Sequence, residues 1–328
     1  MNVKTLVSAF AVAAMMSYGS TTAKAQTPRP EYPRPQFERS EWVNLNGTWT
    51  YSFDFGRTGR DKGWQNNASF DGKITVPFCP ESSLSGVKYT DFINTIWYQR
   101  KIDIPAAWNG KKILLNFGAV DYEAHIFIDG KLVRRHFGTG SSFSCDITKF
   151  VKAGQQHNLV VLVNDNLRDH KQPGGKQSIG FYSAGCNYTR VTGIWQTVWM
   201  EAVAEEGLKS VFATPDIDQK QLVIHPQFYQ ESNTNKLVVT LYDGKKAVAS
   251  KTVNCTNNSV IVLPVKNMKL WSPESPFLYD ITYKVVKDGK TIDEVKSYAG
   301  MRKVHVANGY FYLNNKPYFQ RLILDQGY

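Results

Sequence analysis

The feature that most constrains the fold is a series of short segments in which apolar and polar residues alternate, separated by turn signals. In residues 48–53, Trp49, Tyr51 and Phe53 alternate with three hydroxyl residues. Successive side chains of a β-strand point to opposite faces of the sheet, so this alternation predicts a half-buried strand. After residue 25, no segment shows the long apolar repeat of 3.6 residues that is typical of a surface helix. The pattern therefore predicts an all-β chain.

Comparable segments fall into two groups along the chain. The first group lies in residues 41–203 and includes an Asp-Gly hairpin signal at 129–130. The second group lies in residues 204–303, where Asp-Gly dipeptides at 243–244 and 288–289 mark two hairpins joined by a connecting strand. Such a set within about 100 residues is typical of a small immunoglobulin-like sandwich. The sequence therefore predicts two β-domains.

The first 25 residues have the three parts of a secretory signal peptide. Lys4 provides a short basic beginning, residues 6–16 are mostly apolar, and Ala23-Lys24-Ala25 forms a cleavage site of the small-x-small type. The mature protein is therefore predicted to be exported, either to the periplasm or into the medium. No later stretch approaches the roughly 20 apolar residues of a membrane-spanning helix, so no membrane partner is expected.

Residues 26–40 form a proline-rich leader, with prolines at positions 28, 30, 33 and 35. Closely spaced prolines favour an extended backbone. We expect an extended leader that contributes no core element, with the folded domains starting after it.

The formal charge of +11 raises the question of a polyanionic partner. The basic residues are scattered singly or in pairs, and no basic helix or aromatic-interleaved nucleic-acid motif is present. We interpret the charge as a solvated surface and expect no nucleic-acid partner. The six histidines lack the spacing of metal ligands, so neither a metal ion nor another cofactor is predicted.

The four cysteines are widely spaced and form no C-x-x-C pair, so a zinc site is not expected. An exported protein can form disulfides, and Cys145 could pair with Cys186. Buried free thiols within strands are an equal alternative. The sequence leaves this choice open.

Seven motifs follow one another between residues 45 and 302. They are LNGTW at 45–49, WYQR at 97–100, NFGAVD at 116–121, GIWQTVW at 193–199, LWSPE at 270–274, PFLY at 276–279 and GMR at 300–302. Their order and spacing resemble the N-terminal half of glycoside hydrolase family 2, the family of β-galactosidases, β-glucuronidases and β-mannosidases. Most of these residues also suit purely structural roles, because glycines fit tight turns and tryptophans fit cores.

The resemblance implies a jelly-roll sugar-binding β-sandwich in residues 41–203 and an immunoglobulin-like β-sandwich in residues 204–303. Residues 304–328 are then the truncated start of a (β/α)8 catalytic barrel, with the apolar run 322–324 as part of its first strand. By the same resemblance, hydrolysis proceeds with retention and uses two glutamates of that barrel. Retention requires two carboxylates about 5–5.5 Å apart, one as acid/base and one as nucleophile.

The catalytic pair is predicted to be absent from this chain. In the family the acid/base glutamate follows an asparagine, and the sequence contains no Asn-Glu dipeptide. A complete barrel also needs about 250 residues, far more than follow residue 303. We therefore expect this polypeptide alone to be inactive toward glycosides.

Four residues are candidates for contacting a sugar. Asp165 follows the apolar run 159–163 and matches an aspartate that lines the substrate subsite in the family, and Asn94 is a looser match to a family asparagine. Asp325 and Gln326 stand where a barrel strand presents its functional end, and their polar groups could bind hydroxyls. The alternatives are turn or cap roles for Asp165 and Asn94, and frayed chain for the last pair.

Three hypotheses for function remain. The first is an N-terminal fragment of a family 2 β-glycosidase, with a carbohydrate substrate and with a homo-oligomer or a separately encoded barrel as protein partner. The second is a stand-alone exported carbohydrate-binding module, and the third is a structural sandwich without a ligand. We favour the first, because an independent module has no use for the start of a barrel. Residues 321–328 lack the Arg-Gly-x-Asn-x-His element of the family, so the sugar is undecided.

Overall fold

The computed structural model describes residues 27–67 and 69–325, so the expected signal peptide and Gln326 lie outside the described residues. The described chain is nearly all β, which confirms the predicted fold class. Its helical structure consists of one α-helical turn, α1, and four 3-10 turns. These are α1 Trp64–Asn67 and the 3-10 turns Pro35–Phe37, Ser83–Ser85, Ala106–Trp108 and Leu167–Asp169.

Twelve strands in the described residues build the first sandwich. They are β1 Trp42–Asn44, β2 Gly47–Phe53, β3 Gly72–Val76, β4 Thr95–Asp103, β5 Lys112–Phe117, β6 Val120–Asp121, β7 Glu123–Ile128, β8 Lys131–Phe137, β9 Phe143–Asp146, β10 Gln156–Asn164, β11 Gly193–Ile194 and β12 Val198–Val203. One sheet has the order β1-β12-β5-β9 and the other has the order β3-β2-β4-β10-β7-β8, while β6 and β11 form a separate antiparallel pair.

The core of the first sandwich lies between its two large sheets. The central strand β10 is buried over most of its length, because it pairs with β4 on one side and β7 on the other and is covered on both faces. On the inner face Trp49 is 1% exposed, and Tyr51 and Phe53 pack against the same core, as their alternation predicts. On the outer face a smaller apolar cluster includes Trp97 and Leu162. The large sheet is therefore covered on both faces near its centre.

Seven strands form the second sandwich. They are β13 Leu208–Asp216, β14 Gln221–Phe228, β15 Ser232–Asp243, β16 Lys246–Cys255, β17 Ile261–Pro264, β18 Tyr279–Lys287 and β19 Lys290–Ala299. A three-stranded sheet, β13-β14-β17, packs with a four-stranded sheet, β16-β15-β18-β19, around a separate core. All strand pairs are antiparallel, as in an immunoglobulin-like sandwich.

A small antiparallel sheet follows the second sandwich. It consists of β20 Val304–Ala307, β21 Tyr310–Leu313 and β22 Lys316–Pro317. Asn314 and Asn315, which join the last two strands, have φ angles of 53° and 64°. Two successive left-handed residues make the tight turn expected from the sequence, since asparagine tolerates that region. The apolar run 322–324 beyond it lies in no strand and is largely exposed.

The leader differs from its expectation, because its last residues pack against both sandwiches. Phe37 is 8% exposed and belongs to the core of the second sandwich. Arg39 is 3% exposed and donates to Glu201 Oε2 at 3.3 Å and to Asp293 Oδ1 at 2.9 Å. Glu201 lies on β12 and Asp293 on β19, so Arg39 connects the two sandwiches. Proline content alone did not reveal these contacts, because they join residues far apart in sequence.

The four cysteines are unpaired in the structure. Cys145 is buried and Cys186 is exposed, so the disulfide considered above does not form here. In the described part of the chain, no helix is long and apolar enough to cross a membrane.

Candidate functional site

The structure brings Asp165 and Asn94 to the same end of the large sheet. Strands β4 and β10 are antiparallel, and their register pairs Thr95 with Asn164. The next residue along β10 therefore faces the residue before β4, and the Asp165 N–H donates to the Asn94 carbonyl at 3.1 Å. Two candidates that are about 70 residues apart in sequence are neighbours because of this strand pairing.

The Asp165 carboxylate points to the inner side of the sandwich and is 5% exposed. Gln172 Nε2 donates to its Oδ1 at 2.7 Å, and Thr192 Oγ1 donates to its Oδ2 at 2.8 Å. Burial raises the pKa of the carboxyl, since the charged form loses hydration. Both oxygens are thus held by protein donors in this structure.

Glu81 lies beside Asp165 and shares Thr192 with it. The Thr192 N–H donates to Glu81 Oε2 at 3.2 Å, and Glu81 is 7% exposed. Burial raises the pKa of Glu81 to about 7. Thr192 therefore joins two buried carboxyls, one through its backbone and one through its hydroxyl.

Asp121 at the end of β6 supplies a third buried carboxyl. Gln177 Nε2 donates to its Oδ2 at 2.8 Å, and Asp121 is 0% exposed. Burial, with a contribution from the Asp165 charge, raises the pKa of Asp121 to about 8. Its Oδ1 has no hydrogen-bond partner among the described residues. Glu81, Asp121 and Asp165 are called the carboxyl cluster below.

The carboxyl cluster can hold protons near neutral pH and can exchange hydrogen bonds with hydroxyl groups. Its direct donors are neutral amide and hydroxyl groups, so burial is not offset by a paired cation. The sequence reasoning missed Glu81, Gln177 and Thr192 as members of this site. Asp121 could have been noticed in the sequence, because an aspartate at the end of an apolar strand motif is expected to be buried and then needs hydrogen-bond partners or a proton.

A loop with exposed aromatic rings flanks the carboxyl cluster. It follows β10, and within it Phe181 is 57% exposed and Tyr182 is 85% exposed. The Arg168 guanidinium stacks over the Phe92 ring at 3.4 Å and lies 5.1 Å from the Phe181 ring centroid. Exposed rings of this kind can stack on the apolar face of a sugar.

The other candidates are not part of this arrangement. The Asn94 side chain donates to the Phe55 carbonyl at 3.3 Å, which is a contact with the loop after β2. Asp325 is exposed, and in the described residues no hydrogen bond or ion pair joins it to Asp165 or Asn94. Gln326 lies outside the described residues. No group of His, Cys, Asp and Glu side chains that could hold a metal ion occurs in the part of the chain that the structure describes.

Comparison with known proteins gives the same family over both sandwiches. The sugar-binding domain model of glycosyl hydrolases family 2 matches residues 42–203, and a second model of glycosyl hydrolases family 2 matches residues 207–302. A β-glucuronidase of Paenibacillus borealis is 23% identical over 85% of this chain and 48% of its own length. A β-glucuronidase of Sus scrofa is 26% identical over 86% of this chain and 47% of its own length.

A β-galactosidase of Thermoanaerobacter pseudethanolicus is 24% identical over 70% of this chain and 31% of its own length. The crystal structure of Ruminococcus gnavus β-glucuronidase superposes with a TM-score of 0.72 at 23% identity, over 85% of this chain and 48% of that one. The chain thus spans about half or less of the length of these relatives. With the two family models matched in order over most of its length, the chain belongs to glycoside hydrolase family 2.

Proposed function

We propose that this chain is the N-terminal, non-catalytic part of an exported β-glycosidase that hydrolyses glucuronides or galactosides with retention. The observation that carries the proposal is the coverage of the relatives. Both sandwich domains match the family, while the chain spans 48% of a β-glucuronidase and 31% of a β-galactosidase. Export to the periplasm or into the medium is part of the proposal and is supported by the signal-like residues 1–25.

The proposed reaction needs a catalytic pair that this sequence does not supply. A retaining mechanism uses two carboxylates about 5–5.5 Å apart, on opposite sides of the scissile bond. No Asn-Glu dipeptide occurs in the sequence, and a barrel of about 250 residues is required to place the pair. The carboxyl cluster does not replace it, since Asp165 has both oxygens bound by protein donors. We therefore propose that the barrel comes from further sequence of the same protein or from a separate chain.

In the complete enzyme, Asp165 and Asn94 are proposed to lie at the rim of the sugar subsite. Their support is their common position at one end of the large sheet, next to the loop with exposed rings. Asp325 and Gln326 are proposed to bind sugar hydroxyls at the start of the barrel. The protein partners are proposed to be further copies of the chain or a separately encoded barrel.

The decisive experiment is an activity measurement on the 328-residue chain with chromogenic glucuronides and galactosides. We expect no turnover above the uncatalysed rate, because the catalytic pair is missing. Turnover that disappears on a single carboxylate substitution in this chain would contradict the proposal. Reading the coding sequence beyond residue 328 for a barrel with an Asn-Glu dipeptide provides an independent check.

The second candidate function is a stand-alone carbohydrate-binding module. The exposed rings of Phe181 and Tyr182 favour it, because exposed aromatic side chains are a common means of holding sugars. Binding of a neutral glycan that is lost in Asp165→Ala and Tyr182→Ala, without a barrel in the downstream coding sequence, would support this candidate. Failure to bind across a glycan array would count against it.

A further inference from the structure

A cavity of about 400 Å³ lies on the outer face of the large sheet of the first sandwich. Trp97 on β4 and Leu162 on β10 line it, together with Asn164 at the end of β10. Tyr122 and Phe137 form its aromatic side, with ring centroids 6.1 Å apart. Ligand pockets commonly have volumes of about 300–1,000 Å³, so the cavity has room for one or two sugar rings.

This outer cavity is separate from the carboxyl cluster, because the strand alternates its side chains. Asn164 and Asn166 line the cavity, whereas Asp165 between them is buried on the inner side. Gln172 lines the cavity and donates through Nε2 to Asp165, so its side chain lies between the outer cavity and the carboxyl cluster. The same end of the sheet therefore presents two different environments.

The loop after β2 holds two arginines at the edge of the cavity. Asp54 organises this loop, because its carboxylate accepts from the N–H groups of Thr58 and Gly59 at 3.0 and 2.8 Å. The same carboxylate accepts from Trp97 Nε1 at 3.0 Å, and this hydrogen bond attaches the loop to β4 of the sheet. Arg57 and Arg60 line the cavity and are exposed. Their backbone is thus positioned before any ligand arrives.

The free polar groups of the cavity are mainly donors. Within the described residues, Arg57 and Arg60 form no ion pair, and the Arg60 guanidinium lies 3.4 Å from His125 Nδ1 and 5.9 Å from the centroid of the Phe127 ring. The nearby carboxylates are already engaged. Asp54 accepts three hydrogen bonds, Glu123 accepts from His125 and Arg135, and Asp169 forms an exposed ion pair with Lys171 at 3.6 Å. A ligand with anionic acceptor groups could therefore pair with the free arginine donors.

We propose that the outer cavity binds an acidic saccharide, one that bears a carboxylate or a sulfate group. Guanidinium groups match both anions through paired hydrogen bonds. The rings of Tyr122 and Phe137 supply an apolar surface for the sugar ring itself. The proposed site goes beyond the proposed function, because neither Asp165 nor Asn94 lines this cavity.

The test is calorimetric titration of the 328-residue chain with three tetrasaccharides, namely tetragalacturonate, a sulfated galactan tetramer and neutral galactotetraose. We expect binding of at least one acidic probe and none of the neutral one. Comparison of the carboxylate-bearing probe with the sulfated probe shows which anion the cavity binds. In the double variant Arg57→Gln/Arg60→Gln, we expect at least about a tenfold loss of affinity, the size of one lost charge-assisted hydrogen bond.

The matched control is Lys245→Gln/Lys246→Gln, which removes the same charge from an exposed hairpin of the second sandwich. It should bind the acidic probe as the unchanged chain does. Phe137→Ala, which alters a half-exposed ring and leaves the arginines in place, should also weaken binding. Circular dichroism of every variant establishes that it is folded.

Absence of binding to both acidic probes, equal binding of the neutral probe, or an equal loss in the lysine control would overturn the proposal. Glycoside turnover by the chain would refute the proposed function and would leave this binding result standing.

Discussion

At the residue scale, the carboxyl cluster is the most unusual feature of the molecule. Burial raises the pKa of Glu81 to about 7 and that of Asp121 to about 8, because no cation is bonded to either carboxyl. The groups therefore keep protons in the folded state that they release in the unfolded chain. Asp165 was a candidate in the sequence, whereas Glu81 lies in a loop and Asp121 on β6, and only folding brings the three carboxyls together.

A prediction on pH follows for Asp121. Its folded pKa of about 8 is above its ordinary value of about 3.8, so its contribution to stability is full below about pH 4 and is lost as the pH rises through about 8. Asp121→Asn is neutral at every pH and should lose less stability between about pH 5 and about pH 8.5 than the unchanged chain. Thermal unfolding at both pH values measures this difference. Asp280→Asn, at an exposed position on β18, should keep the original pH dependence, and an identical dependence in Asp121→Asn would contradict the assignment.

At the element scale, the large sheet of the first sandwich depends on β10. This strand pairs with β4 and β7, and both of its faces are covered by apolar side chains. Its run of valine and leucine was visible in the sequence as a strand. The central place of β10 in the sheet was not visible, because its pairing partners lie up to about 70 residues away and local alternation carries no information about them.

A prediction on core packing tests the role of β10. Leu159 is 0% exposed in the first core, and Leu159→Ala should lower the free energy of unfolding by about 2–5 kcal/mol, since it leaves a cavity. Leu132→Ala makes the same change on β8, where the side chain is 46% exposed, and should cost much less. Urea denaturation of both variants gives the comparison. Equal losses would show that β10 is not the packing centre of this sandwich.

At the scale of the whole molecule, the leader joins the two sandwiches. Arg39 bonds Glu201 and Asp293, and Arg34 bonds Glu201 at 2.6 Å from the same segment. These groups are largely buried, so removing one partner leaves uncompensated charge in a poorly hydrated place. Phe37 adds apolar contact with the second core. The segment that looked like a spacer therefore has a structural role in the described chain.

A prediction on the leader follows from this network. Arg39→Met should lower the free energy of unfolding by about 3–5 kcal/mol, because buried Asp293 loses its cation and buried Glu201 keeps only Arg34. Lys284→Met removes a cation from the exposed pair with Glu294 and should cost about 0–1 kcal/mol. Denaturant unfolding followed by tryptophan fluorescence measures both. A loss for Arg39→Met no larger than that of the exposed pair would contradict the proposed link.

The sequence by itself determined the all-β class, the hairpin turns and the family. These follow from local information, since side-chain alternation, turn dipeptides and short motifs depend on residues close together in the chain. Only the tertiary structure decided the carboxyl cluster, the contacts of Phe37 and Arg39, and the outer cavity. Each of these depends on groups far apart in sequence, and their positions are set by strand pairing and packing that no local pattern specifies.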